Sequence, residues 1–172
     1  MRSILDRIYT LSGALSGALI LGITLIIMAQ IVGRWFGIVI PSTDDFSGFM
    51  LAASSFLGLA YTLKTGGHIR VSLVIQRLPA RYRKLQEFFV LIFAVLLAIF
   101  MSWYLWNMVY ESYVFEELSI GYIPVPLWIP QLPISIGCSL FTIALIDELA
   151  CVSVGGCPTY QQHEEELSLE EF

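Results

Sequence analysis

Charged side chains are scarce in this chain, and the places they avoid are informative. Of its 172 residues 13% are charged and 57% are hydrophobic, with a mean hydropathy of +0.77. Soluble domains carry roughly twice that share of charge. Four stretches hold no Asp, Glu, Lys or Arg at all: between Arg7 and Arg34, Asp45 and Lys64, Glu87 and Glu111, and Glu117 and Asp147. A helix that crosses a bilayer needs about 20 mostly apolar residues. The expected fold is therefore all-α, with four transmembrane helices at about 8–36, 43–63, 85–113 and 127–154.

Other shortages exclude chemistry. Carriers and proton pumps keep ionisable residues inside their spans, and the central parts of these four have none. The two histidines, His68 and His163, fall outside the spans, so no axial haem ligands are available in a bundle. Cys138, Cys151 and Cys157 are odd in number and lack CxxC spacing. They read as small apolar side chains or free thiols, not as a redox pair. No Walker-type phosphate loop is present. The expectation is a chain that is not an enzyme, binds no metal or cofactor, and holds or positions a partner.

The formal charge of −5 is a property of the C-terminus. Glu164, Glu165, Glu166, Glu170 and Glu171 lie in the last nine residues, and without them the remaining nine acids balance the nine Lys and Arg. The organisation expected is one transmembrane domain at 1–154 followed by an acidic tail at 155–172. No basic patch is left over for nucleic acid, because the cationic run from Lys64 to Lys84 is needed at the membrane surface. Arg2 and Arg7 precede an apolar run too long for a cleaved signal peptide, so helix 1 reads as an uncleaved anchor.

Helix 1 is rich in small residues, with Gly13 and Gly17 at GxxxG spacing. Helix 2 carries Gly48, Ala52, Ser55 and Gly58. Close backbone approach drives helix association in lipid, where apolar burial does not. Gly13, Gly17, Gly48 and Gly58 are therefore the packing candidates, with helices 1 and 2 the tightest pair. Gln30 is expected to hydrogen-bond a neighbouring helix. Pro41-Ser42-Thr43-Asp44-Asp45 reads as a helix start: Ser42 or Thr43 can cap, and the acids suit the positive end of the helix dipole. Gly66 and Gly67 close helix 2. Val71, Val74, Ile75 and Leu78 then recur at helical spacing beside Arg70 and Arg77, the pattern of a short amphipathic helix lying in the interface between helices 2 and 3. Helix 3 has no glycine and many bulky residues. Pro124, Pro126, Pro130 and Pro133 lead into helix 4, where a bent or interfacial segment at 127–133 is expected.

Four spans place both termini and the central loop on one side. That side holds Arg2, Arg7, Lys64, Arg70, Arg77, Arg81, Arg83 and Lys84, against Arg34 alone on the other. Positive charge stays in the cytoplasm, so both termini are expected there. Trp35, Trp103, Trp106 and Trp128 all fall near the opposite ends of their helices, where an aromatic belt belongs.

Three segments carry a family likeness. GGHIRV (66–71) followed by RLPARYRK (77–84), GRWFGIVIPSTDD (33–45) and YIPVPLWIPQLPISIG (122–137) appear in order. Together they make the chain resemble the small membrane subunit, DctQ type, of tripartite ATP-independent periplasmic (TRAP) transporters over about residues 5–150. Asp44 and Asp45 stand where that family more often has glutamates. The resemblance implies a non-catalytic small subunit in the bacterial inner membrane. It implies as partners a large multi-helix membrane subunit that holds the substrate and Na+ sites, a periplasmic substrate-binding protein, and membrane lipids. It implies ion-gradient-driven uptake of an organic acid, with this chain as scaffold. Candidate partner or lipid contacts are Asp44, Asp45, His68, Arg70 and Trp128, each with a plainer role as helix start, lipid-phosphate contact or interfacial anchor. The alternative is an autonomous small transporter or channel that assembles as a homo-oligomer.

Overall fold

The structure is a computed structural model and describes residues 2–66 and 80–153. Four helices account for nearly all of it: α1 at Arg2–Trp35, α2 at Thr43–Lys64, α3 at Ala80–Val114 and α4 at Trp128–Ser153. All four are long and apolar enough to cross a membrane. The chain is thus a multi-pass membrane protein. The expected interfacial helix, with His68 and Arg70, and the acidic tail lie outside the described residues.

Two helices start earlier than the charge pattern suggests. The apolar span of α1 begins at Leu5 and that of α3 at Phe88, but the helices themselves begin at Arg2 and Ala80. Charge marks where a helix leaves the hydrocarbon, and backbone hydrogen bonding continues past that point. The approach to α4 also differs. No separate segment precedes the helix, which takes in Pro130 and Pro133. Pro130 lies in the first turn, where its missing N–H has no intrahelical partner to lose. Pro133 lies beyond it and removes the bond that would reach the Ile129 carbonyl.

The helices pack in the spatial order α1–α2–α4–α3. The α1–α2 interface is the most extensive, followed by α3–α4 and α2–α4. Tyr9, Ala60, Leu63, Leu91, Val95, Ala98, Ala144 and Leu145 form the buried core. These residues come from all four helices, toward the end where α1 and α3 begin and α2 and α4 finish. At the opposite end α1 stands clear: Met28, Val32, Trp35 and Phe36 are exposed. An ion pair between Lys64 and Asp6 ties α1 to α2 at the core end.

Serine does much of the work between helices. Ser12 Oγ donates to the Leu57 carbonyl and Ser16 Oγ to the Ser54 carbonyl at 2.7 Å, joining α1 to α2. Ser135 Oγ donates to the Leu105 carbonyl at 3.2 Å. Ser139 Oγ lies 3.0 Å from Ser102 Oγ and accepts from Trp106 Nε1 at 3.0 Å, joining α4 to α3. Each such bond holds two helices together without exposing an unpaired polar group to hydrocarbon. Gln30 is half-buried and makes no side-chain hydrogen bond among the described residues. The expected bond to a neighbouring helix is absent there.

Candidate functional site

Among the described residues, no group of three or more His, Cys, Asp or Glu is placed to hold a metal ion. The chemistry on offer is that of surfaces, and the sequence candidates divide between the helix seams and the outer rim.

At the α1–α2 seam the four glycines have different surroundings. A Cβ added at Gly13 would lie 2.6 Å from the Tyr61 ring, and one at Gly58 would lie 3.1 Å from Ser16 Oγ. At Gly17 and Gly48 it would meet nothing within 4 Å. Helix geometry explains the split on α1. A step of four residues turns about 40° around the axis. Tyr9, Ser12 and Ser16 are the buried stripe, Gly13 lies on its edge, and Gly17 has rotated past it. GxxxG spacing alone did not fix which member would touch. The tightest backbone approach is one that the sequence reading missed. A Cβ on Gly137 of α4 would lie 2.5 Å from the Phe56 carbonyl carbon and 2.7 Å from the Leu57 nitrogen of α2.

At the outer rim, Ser42 occupies the N-cap position of α2 in a left-handed conformation (φ 57°, ψ 16°), and its side chain makes no capping bond. Its Oγ instead accepts from Ile123 N–H at 3.0 Å. The expected cap is therefore a clip between the α1–α2 turn and the α3–α4 loop. Asp45 is half-buried, with its carboxylate so close to Gly121 that a Cβ there would overlap Oδ2. Asp44 is exposed. Asp45, Phe49, Glu117 and the 119–121 turn line an open depression. Trp128 is half-buried at the start of α4, with its ring edge-on to Tyr113 at 5.9 Å. The structure thus brings Asp45 and Ser42 onto the α3–α4 loop and places Trp128 beside the end of α3, while Asp44 stands apart.

The α3–α4 loop is ordered by its own bonds. Ser112 Oγ donates to Glu117 Oε2 at 2.8 Å, Ser119 N–H to the Val125 carbonyl at 2.9 Å and Leu127 N–H to the Glu117 carbonyl at 2.9 Å. Leu118 and Pro126 pair antiparallel.

A model of the family described as "Tripartite ATP-independent periplasmic transporters, DctQ component" matches residues 23–154, which takes in the C-terminal part of α1 and all of α2, α3 and α4 up to the end of the described residues. The chain belongs to the DctQ family. The chain is also similar to the isethionate TRAP transporter permease protein DctMQ of Oleidesulfovibrio alaskensis (strain ATCC BAA-1058 / DSM 17464 / G20), 23% identical over 137 residues. That alignment covers 76% of this chain and 21% of the relative, so the DctQ chain spans about a fifth of that protein's length. Membership makes it the DctQ component, a small membrane subunit, of a TRAP transporter. The family is a transporter component.

Proposed function

We propose that this DctQ subunit is the scaffold of a secondary transporter driven by an ion gradient, with sodium as the coupling ion and an organic acid as substrate. In this reading the large subunit carries the sodium and substrate sites, and a periplasmic binding protein delivers the acid. The small subunit sits in the bacterial inner membrane with both termini in the cytoplasm. It holds the immobile part of its partner in place and carries no resident cofactor.

The observation that supports this most is the family match over residues 23–154, from the later part of α1 through α4. Three features agree with it. Charge is absent from the mid-membrane parts of the helices, which leaves this chain without groups to carry a proton or bind a desolvated ion there. The seams are locked by serine bonds and close glycine contacts, which suits a rigid support. Broad apolar faces on α1 and α3 remain exposed, so there is surface for a membrane partner.

Reconstitution tests the reading. Proteoliposomes with this chain and its large subunit, supplied with binding protein, should take up an organic acid when an inward sodium gradient is applied. The large subunit without this chain should lose most of that uptake, and this chain alone should show none. Uptake by the isolated small subunit would refute the scaffold role.

A further inference from the structure

The turn between α1 and α2 is a built structure that carries its apolar side chains outward. Ile38 N–H donates to the Gly33 carbonyl at 2.9 Å and Gly37 N–H to the Arg34 carbonyl at 3.1 Å, with Gly37 in the left-handed region (φ 73°). These are the paired bonds of a Schellman motif, which ends a helix in one defined shape. The chain then folds back over the last turn of α1: a Cβ on Gly33 would lie 3.1 Å from the Ile38 carbonyl oxygen and 3.7 Å from Ile40 Cδ1. Within this ordered turn Trp35 is 79% exposed, Phe36 75%, Ile38 60% and Val39 78%.

The turn also reaches farther than the helix it leads to. Gly22 of α1 lies against the end of the Met50 side chain of α2. From that contact α1 continues 13 residues to Trp35, whereas α2 begins only seven residues away at Thr43. At 1.5 Å per residue, near-antiparallel axes put the end of α1 about 9 Å beyond the start of α2. The charges of α2 mark the lipid boundary. Asp45 and Lys64 are 19 residues apart, a helical rise of about 29 Å, and the hydrocarbon core is about 30 Å thick. The apolar turn therefore projects past the level at which α2 meets the headgroups.

Leaving four large apolar side chains in water forgoes most of the free energy of burying them. A bilayer accommodates an overlong apolar stretch by thickening locally or letting the helix tilt, at a smaller cost. Lipid has access from the sides, because α1 stands clear of the bundle at this end. The polar chemistry of the turn also suits lipid. Arg34 is exposed and makes no ion pair among the described residues. Its long stem can lie along apolar surface while the guanidinium meets phosphate. Trp35 beside it is of the type that settles at headgroup level.

We propose that the 34–40 turn is a phospholipid anchor. Acyl chains of that leaflet rise around the end of α1 to cover Trp35, Phe36, Ile38 and Val39, and Arg34 holds lipid phosphate above them. This requires only that the helices span a bilayer, and does not rest on the partners or the orientation proposed above.

Depth-dependent quenching tests it. An encoded, environment-sensitive fluorescent amino acid replaces Val39 in the full chain, in nanodiscs of phosphatidylcholine and phosphatidylglycerol, with and without the large subunit. Lipids that carry a nitroxide near the top of the acyl chain should remove most of the emission, and aqueous acrylamide should remove little. Arg34→Gln should open the probe to acrylamide, because headgroups are no longer held over the turn; an unchanged profile would remove Arg34 from the anchor. Emission quenched by acrylamide but not by lipid would place the turn in water. Emission open to neither, or open to lipid only when the large subunit is left out, would place it under protein. Each of these results overturns the anchor. A large subunit that fails to assemble counts instead against the scaffold reading, and the measurement on the chain alone still decides the anchor.

Discussion

Replacing Gly137 by alanine adds one methyl group at the closest backbone approach between helices. The new Cβ would stand 2.5 Å from the Phe56 carbonyl carbon, 2.6 Å from its oxygen and 2.7 Å from the Leu57 nitrogen. All three atoms are α2 backbone, so no rotamer change relieves the overlap. Restoring an ordinary contact of 3.4 Å from 2.5 Å moves α4 off α2 by about 0.9 Å. A gap of 0.5–1 Å forfeits roughly a quarter to a half of the dispersion energy of each contact it opens. Overpacking of this kind costs about 1–3 kcal/mol, and alanine returns at most about 1 kcal/mol through helix propensity. The expected net loss against the wild type is up to about 2 kcal/mol, and against alanine substitutions that share the propensity gain without the overlap it is about 1–3 kcal/mol. The assay is SDS-induced unfolding in mixed micelles, followed by tryptophan fluorescence, with Gly17→Ala and Gly48→Ala as controls. A Cβ at either control position meets nothing within 4 Å, so both should unfold with the wild type or slightly later. If Gly137→Ala matches the controls, α2 and α4 do not approach as described and the helix order α1–α2–α4–α3 loses its central contact.

Other outcomes follow from the same geometry. Gly13→Leu should lower thermal stability in detergent by displacing the Tyr61 ring, while Gly17→Leu should leave it unchanged; equal losses would contradict the rotation of α1 described here. Ser139→Ala removes the acceptor of Trp106 Nε1 and should cost about 0.6 kcal/mol with a shift in tryptophan emission; an unchanged spectrum would refute that bond. Ser42→Ala removes the acceptor of Ile123 N–H. It should speed amide exchange at Ile123 before it changes global unfolding, at a local cost of about 1 kcal/mol; unaltered exchange would show that the clip does not hold the α3–α4 loop.

The spans were legible because desolvation of charge leaves little freedom: each of the four charge-free windows holds a membrane-length helix, the fourth after a loop over its first ten residues. The ends were less legible, since Arg2 and Ala80 continue helices that have left the apolar stretch. The proline-rich start of α4 misled for a physical reason. A proline within the first turn costs no hydrogen bond, so Pro130 is compatible with an unbroken helix, and one lost bond at Pro133 is tolerated. At the seams, small residues announced close packing but not its register. Gly17 and Gly48 carry the same local signal as Gly13 and Gly58 and face open space. The pairs Ser12–Ser16 and Ser135–Ser139, each four residues apart on one face, were the stronger signal. Their hydroxyls reach the neighbouring helices. The contact of Ser42 with Ile123 spans 81 residues and could not be read locally, because the same serine would satisfy an N-cap equally well.

The central claim is that this DctQ subunit exists to hold a larger membrane partner. The most direct measurement is purification of the tagged chain from native membranes in mild detergent, with the mass of the intact particle determined. The account predicts one much larger polytopic subunit in fixed stoichiometry with each copy of this chain. A particle made of this chain alone, singly or in multiples, would contradict it.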